Sequence, residues 1–219
     1  EQIEAYLNEG NAVVNEQKTS KKEAIEVYAE VTPNPAAMKF ATNKALTQTD
    51  VEFKNIDEAS ASSPLAQEIF NFPFVKEVFI SDNYISVIKY DMVEWDDVHG
   101  EVRSFIKEYL AAGKTVIKEL PEKETGTAEN KVEAPKVVLE GISAQIVDIL
   151  DEYIKPAVAA DGGNIVFRSY NEENKVVSVI LQGACSGCPS STATLKNGIE
   201  NLLKEMLPNQ INEVVAING

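Results

Sequence analysis

The chain has 219 residues, 44% of them hydrophobic and 25% charged, which is ordinary globular content and enough length for two small cores. Its formal charge of −15, from 35 acidic against 20 basic residues, would repel phosphate backbones and anionic lipid surfaces, so neither nucleic acid nor a membrane is an expected partner. The longest apolar runs, such as VVSVIL, fall far short of the roughly 20 residues that span a bilayer, and the acidic start carries no signal-peptide core. Only two cysteines are present, at a spacing too short to brace a fold of this size, which excludes a secreted disulfide scaffold. A reducing, cytoplasmic setting is expected, and a start at Glu1 rather than Met leaves room for an organelle location after leader removal.

In chain order, residues 1–23 read as an N-terminal extension with a short helix at EQIEAYL and little further periodicity. Residues 24–113 read as a first domain. IEVYAEV alternates and is rich in β-branched residues, TPNP breaks it, and MKFATNKAL resumes, which predicts two strands able to pair around a proline-shaped connection. SPLAQEIFNF predicts a short helix with Ser63 as N-cap and Pro64 in its first turn. VKEVFISDNYISVIKY predicts a hairpin turning at Ser81, Asp82 and Asn83. WDDVHGEVRSFIKEYLAAG closes the domain as an amphipathic helix with Val98, Val102, Phe105, Ile106 and Tyr109 inward.

Residues 114–138 form an expected flexible acidic linker. Its centre, Pro121 to Lys136, is too poor in large apolar side chains to offset the entropy of ordering. Residues 139–219 read as a second domain. ISAQIVDILDEYIKPAVAA is a helical run with Ile142, Ile146, Ile149, Leu150 and Tyr153 on one side, and Pro156 marks its end or a kink. NIVFRSY and KVVSVILQ are strands around the turn NEEN. Ser190 to Leu207 is a helix with Leu195, Ile199, Leu202, Leu203 and Met206 at core spacing, and INEVVAI is a last strand. The expected fold class is α+β: two small α+β domains, the second of α-β-β-α-β order.

Cys185 and Cys188 stand in LQGACSGCPSSTATLKNGIENLL, where a strand stops and a helix begins. Thiols at this spacing can chelate a metal, form a disulfide, or supply half of a four-thiolate site completed by a second chain. Cys188 lies close to the helix-start N–H groups and the positive end of the helix dipole, and both favour thiolate there. Gly183 and Gly187 clear space beside the sulfurs, and Pro189 can open the helix without losing a bonded N–H. The sole histidine, His99, belongs to the other domain, so one chain cannot readily complete four ligands. Two loops paired across a symmetry axis would give four thiolates, suited to a 4Fe-4S cluster or to zinc. Residues 174–199 hold no carboxylate to oppose an anionic cluster.

DGGNIVF, the strand after it and GACSGCPSSTATLKNGIENLLKEMLP resemble the C-terminal domain of the NifU/Nfu family of iron–sulfur cluster scaffold and carrier proteins, over roughly residues 139–219. Residues 25–110, with TPNPAAMKF and SPLAQEIF, resemble the Nfu N-terminal domain. The resemblance implies that Cys185 and Cys188 are the cluster ligands, that a 4Fe-4S cluster bridges two protomers as a homodimer, and that it passes to apo iron–sulfur proteins after supply by an upstream donor. A carrier of this kind is not an enzyme. Two other classes fit the cysteines. One is a thiol–disulfide oxidoreductase, against which stand Ala184 before Cys185, where those enzymes usually carry an aromatic residue, and the expected lack of a βαβ setting. The other is a structural zinc-bridged dimer.

The remaining conspicuous residues have plain readings. Asp161, Gly162 and Gly163 are expected to end a helix in a glycine turn, with a role at the dimer or cluster surface as the sharper alternative. Thr32, Pro33, Asn34 and Pro35 are expected to form a rigid bend, with partner binding as the alternative. His99 reads as a solvated or packed side chain and Trp95 as helix-start packing; no residue is assigned catalysis.

Overall fold

The computed structural model describes residues 24–118, 141–187 and 189–219. The expected helix near the N-terminus, most of the linker and Cys188 lie outside the described residues.

The first domain is a five-stranded sheet with helices on one face. Its strands are β1 (Val27–Val31), β2 (Ala37–Thr42), β3 (Val51–Phe53), β4 (Val75–Ser81) and β5 (Tyr84–Lys89), in the spatial order β1-β2-β5-β4-β3. Every pairing is antiparallel, including β1 with β2 and the β4–β5 hairpin expected from alternation. The helices are α1 (Ile56–Ser62), α2 (Pro64–Ile69) and α3 (Trp95–Ala111). Ser63 caps α2 by accepting the N–H of Ala66, and Pro64 occupies the first turn. On the helix-covered face, Phe40, Phe53, Ile80, Ile85, Val102 and Ile106 form a core that excludes water. The chain past Gly113 stays with this core. Val116 and Ile117 pack against it, and Lys118 donates its N–H to Ser62, so the domain reaches beyond residue 113, to at least 118.

Period-2 patterning normally leaves one sheet face wet. Here all six residues of β5 are buried. Phe79, on the face opposite the helices, is fully buried although it lies outside the first core. The second domain covers that face.

The second domain follows the expected α-β-β-α-β order. Helix α4 (Ile142–Ile149) runs through a π turn, Leu150–Ile154, into α5 (Lys155–Ala160). The wide turn lets Lys155 bond the carbonyl of Leu150 just before Pro156, which has no N–H to give. Pro156 therefore marks a change of winding rather than the helix end. The extra residue in that turn brings Ile154 to the core and leaves Tyr153 half exposed, which corrects the expected inward place of Tyr153. Strands β6 (Gly163–Asn171) and β7 (Val176–Gly183) pair antiparallel, and α6 (Pro189–Met206) returns the chain to β8 (Glu213–Asn218), which lies parallel to β7. Ile146, Leu150, Ile165, Leu181, Ile199 and Leu203 form the core. Met206 is exposed, and Leu207, just past the helix end, is buried in its stead.

Parallel pairing of β7 with β8 through α6 makes a strand–helix–strand crossover. The cysteine loop thus does sit in a βαβ unit, and the topological argument against an oxidoreductase fails. No helix among the described residues is long and apolar enough to cross a membrane.

Candidate functional site

The loop that carries Cys185 leaves the end of β7 in a tight turn. Gly183 and Gly187 adopt φ of +62° and +76°, conformations that side-chain-bearing residues rarely hold. Ser186 N–H bonds back to the Gly183 carbonyl at 3.0 Å, Ala184 N–H reaches the Gly162 carbonyl at 3.1 Å, and the Thr192 hydroxyl of α6 donates to the Cys185 carbonyl at 3.4 Å. The turn is thereby tied to the segment before β6 and to the first turns of α6. Cys188 follows Gly187 directly and falls outside the described residues.

Cys185 points inward. Its residue is 8% exposed, and a Cβ added to Gly163 would stand 2.5 Å from its sulfur, so glycine at 163 is what makes room for the thiol. Burial pushes the Cys185 thiol up to about 12, and the carboxylate of Asp161 adds to the rise. The thiolate expected from the helix start concerns Cys188, which lies outside the described residues. A cavity of about 370 Å³ opens beside the sulfur, lined by Pro33, Ile154, Val158 and Leu195 among others.

Of the residues expected to play plain roles, Asp161, Gly162 and Gly163 do end α5 in a glycine turn. The turn also meets the first domain: the hydroxyls of Ser86 and Tyr84 donate to the carbonyls of Gly162 and Gly163 at 2.5 and 2.8 Å. Asn34 has a role that the rigid-bend reading missed. Its side-chain amide donates to the carbonyls of Ala184 and Ser186, at 3.0 and 3.2 Å, on either side of Cys185. An Asn between two prolines was the available signal, but nothing local says what its amide reaches. His99 Nδ1 lies 2.8 Å from the Trp95 carbonyl inside α3, and Trp95 packs edge-on to Phe40 and Phe74; both are structural.

The fold and the loop define a two-domain α+β protein with a thiol-bearing strand-to-helix turn set at the junction of the domains. Residues 27–113 match the family described as Scaffold protein Nfu/NifU N terminal, and residues 146–215 match the NifU-like domain. The NifU-like protein, mitochondrial, of Saccharomyces cerevisiae is 35% identical, across 88% of this chain and 80% of its own length. The NFU1 iron-sulfur cluster scaffold homolog, mitochondrial, of Homo sapiens is 32% identical across 83% of this chain and 68% of its own. NifU-like protein 4, mitochondrial, of Arabidopsis thaliana is 33% identical across 81% of this chain and 61% of its own. The chain belongs to the Nfu/NifU family.

Proposed function

We propose that this chain is an iron–sulfur cluster scaffold and carrier, in which Cys185 and Cys188 of two protomers hold a 4Fe-4S cluster for delivery to apo-proteins. The observation that carries the reading is the turn itself. A cysteine sits between two positive-φ glycines at a strand-to-helix junction, with a third glycine, Gly163, clearing the space at its sulfur. Membership of a family whose human relative is named an iron-sulfur cluster scaffold homolog supports it.

The cluster is cargo. Two thiolates per chain give a half site, so four ligands need two chains, and each protomer holds the cluster weakly enough to let it go. Delivery is ligand exchange. An acceptor thiol loses its proton and bonds iron, an iron–sulfur bond to Cys185 or Cys188 breaks, and the departing thiolate takes up a proton. The cluster keeps its charge, no electron moves, and no enzyme chemistry is involved.

The oxidoreductase alternative uses the same two thiols and is separated by whether the pair holds iron and sulfide or only cycles as a disulfide. A zinc-bridged dimer uses the same four ligands and is separated by analysis of the metal. The cytoplasmic setting expected from composition rests on cysteine usage alone, whereas the three relatives above are named as mitochondrial.

The test is anaerobic reconstitution with iron and sulfide, followed by metal and sulfide analysis of the dimer fraction from sizing chromatography. About two irons and two sulfides per protomer are expected. A colourless protein that takes only zinc, or a CxxC that only cycles as a disulfide, would overturn the proposal.

A further inference from the structure

The outer face of the first sheet is built to receive the cysteine loop. Three glycines of the second domain lie where a side chain would collide with the first domain or with the thiol. A Cβ on Gly162 would meet the Ser86 hydroxyl at 2.8 Å, one on Gly183 would meet the ring of Phe79 at 2.8 Å, and Gly163 lies over Cys185 with its carbonyl bonded to Tyr84. The backbone exposed by those glycines is then read group by group. Ser86 and Tyr84 take the carbonyls of 162 and 163, Glu52 accepts the N–H of Gly183 at 2.7 Å, and Asn34 takes the carbonyls of 184 and 186. Ala37, Ile88 and Ala184 form a small apolar cluster at the centre of the contact.

Asn34 is held for this task before the loop arrives. Its side-chain oxygen accepts the Ala36 N–H at 3.0 Å, and its backbone N–H and carbonyl both engage the Thr32 hydroxyl. With the oxygen committed, only the amide N–H groups remain to face outward, and they span Cys185. Ala184, Cys185 and Ser186 are all buried in consequence of this contact and of their own core.

We propose that the first domain is an intramolecular cap, whose sheet face and Asn34 bind the chain's own cysteine loop, and that the two domains must part before a second protomer's loop can meet Cys185. The cap explains what the outer sheet face is for. It also makes domain docking and cluster bridging compete for the same loop, so that formation of the bridged dimer opens the chain and loss of the cluster closes it. The assignment of Cys185 as a ligand comes from the function proposed above; the cap itself rests on the contacts.

The experiment uses the full chain with Cys188→Ser, so that Cys185 is the one thiol, and follows its alkylation by N-ethylmaleimide at a single pH. Asn34→Asp keeps the acceptor for Ala36 N–H and removes the donors; Ser86→Ala is a second, independent lesion in the face. Loss of the two Asn34 bonds should speed alkylation by about tenfold or more, and both variants should show a larger radius of gyration by small-angle scattering. Equal alkylation rates and equal dimensions in the parent and both variants would overturn the cap. The same variants in the two-cysteine chain keep the two proposals apart. Faster alkylation in a chain that never takes up iron would leave the cap standing and sink the cluster reading, while normal iron uptake with unchanged alkylation would do the reverse.

Discussion

Glu52 of β3 accepts the backbone N–H of Gly183 at 2.7 Å, which places a carboxylate from one domain against the strand end that launches the cysteine loop of the other. Burial raises the pKa of Glu52, the Gly183 bond partly opposes the rise, and Glu77 adds to it, with Lys54 and Glu58 as weaker neighbours. A raised carboxyl means that the docked protein binds this proton more tightly than the open or unfolded chain does. The resulting stabilisation is full below the ordinary value of 4.5 and is lost as pH rises through the raised pKa. Glu52→Gln keeps an acceptor for Gly183 and removes the buried charge. Thermal melts should show the variant above the parent at about pH 7, with the gap closing toward about pH 4. A gap that is constant across this range would mean that Glu52 does not titrate in the contact.

Gly163→Ala tests the cradle under the thiol. The added carbon would lie 2.5 Å from the Cys185 sulfur and 2.8 Å from the Gln182 carbonyl, and the latter belongs to backbone that cannot step aside. Overpacking of this kind costs about 1–3 kcal/mol. Denaturant melts should register that loss, and alkylation of Cys185 should quicken as the thiol is displaced; an unchanged melt would show that the loop gives way freely.

Replacing Cys185 or Cys188 by Ser should remove essentially all cluster iron, because a homodimer of either variant offers only two thiolates and two hydroxyls, a poor cluster site. Strand and helix content by circular dichroism should stay as in the parent, since the described part of the turn is held by Gly183, Gly187 and backbone hydrogen bonds. A full complement of iron and visible absorption in either variant would exclude a bridging role for that cysteine.

Glu200 of α6 links helix to sheet: one oxygen accepts the N–H of Val214 in β8 at 3.0 Å and the other meets Lys204 at 2.6 Å. Those bonds, Lys204 first, hold its carboxyl below the ordinary range, so its contribution to stability is present above 4.5 and lost as pH falls through the lowered value. Glu200→Gln preserves the acceptor for Val214 and gives up only a surface ion pair, worth roughly 0.2–1 kcal/mol at neutral pH. Glu200→Ala also strands the Val214 N–H and should cost about 1–3 kcal/mol. Denaturant melts of the two variants that coincide would show that the backbone bond adds nothing.

The hairpin of the first domain, helices α2, α3 and α6 and the strands of the second domain were legible because each carries a period or a cap within its own segment. Ser63-Pro64 announces α2, and alternation around Asp82-Asn83 announces β4 and β5. What escaped was short or distant. Strand β3 has three residues, too few to show a period. Helix α1 did have a signal in Asn55 and Glu58: the Asn55 side chain caps the helix by accepting the Glu58 N–H at 2.9 Å, and the Glu58 carboxylate reaches back past the cap to the Lys54 N–H at 2.8 Å. The loop and its glycines were visible in the sequence, but the reason for Gly162 was not, because Ser86 is 76 positions away. The partner of Asn34, 150 positions on, is beyond any local pattern.

The parallel pairing of β8 with β7 has a bearing on the order in which the second domain folds. Leu181, at the root of the cysteine turn, finishes its ladder only against residues 217–219, on the far side of α6. A pairing so distant in sequence must close its loop before it gains its contacts, which slows it relative to the β6–β7 hairpin. The root of the cysteine turn is therefore expected among the last parts of the sheet to lock.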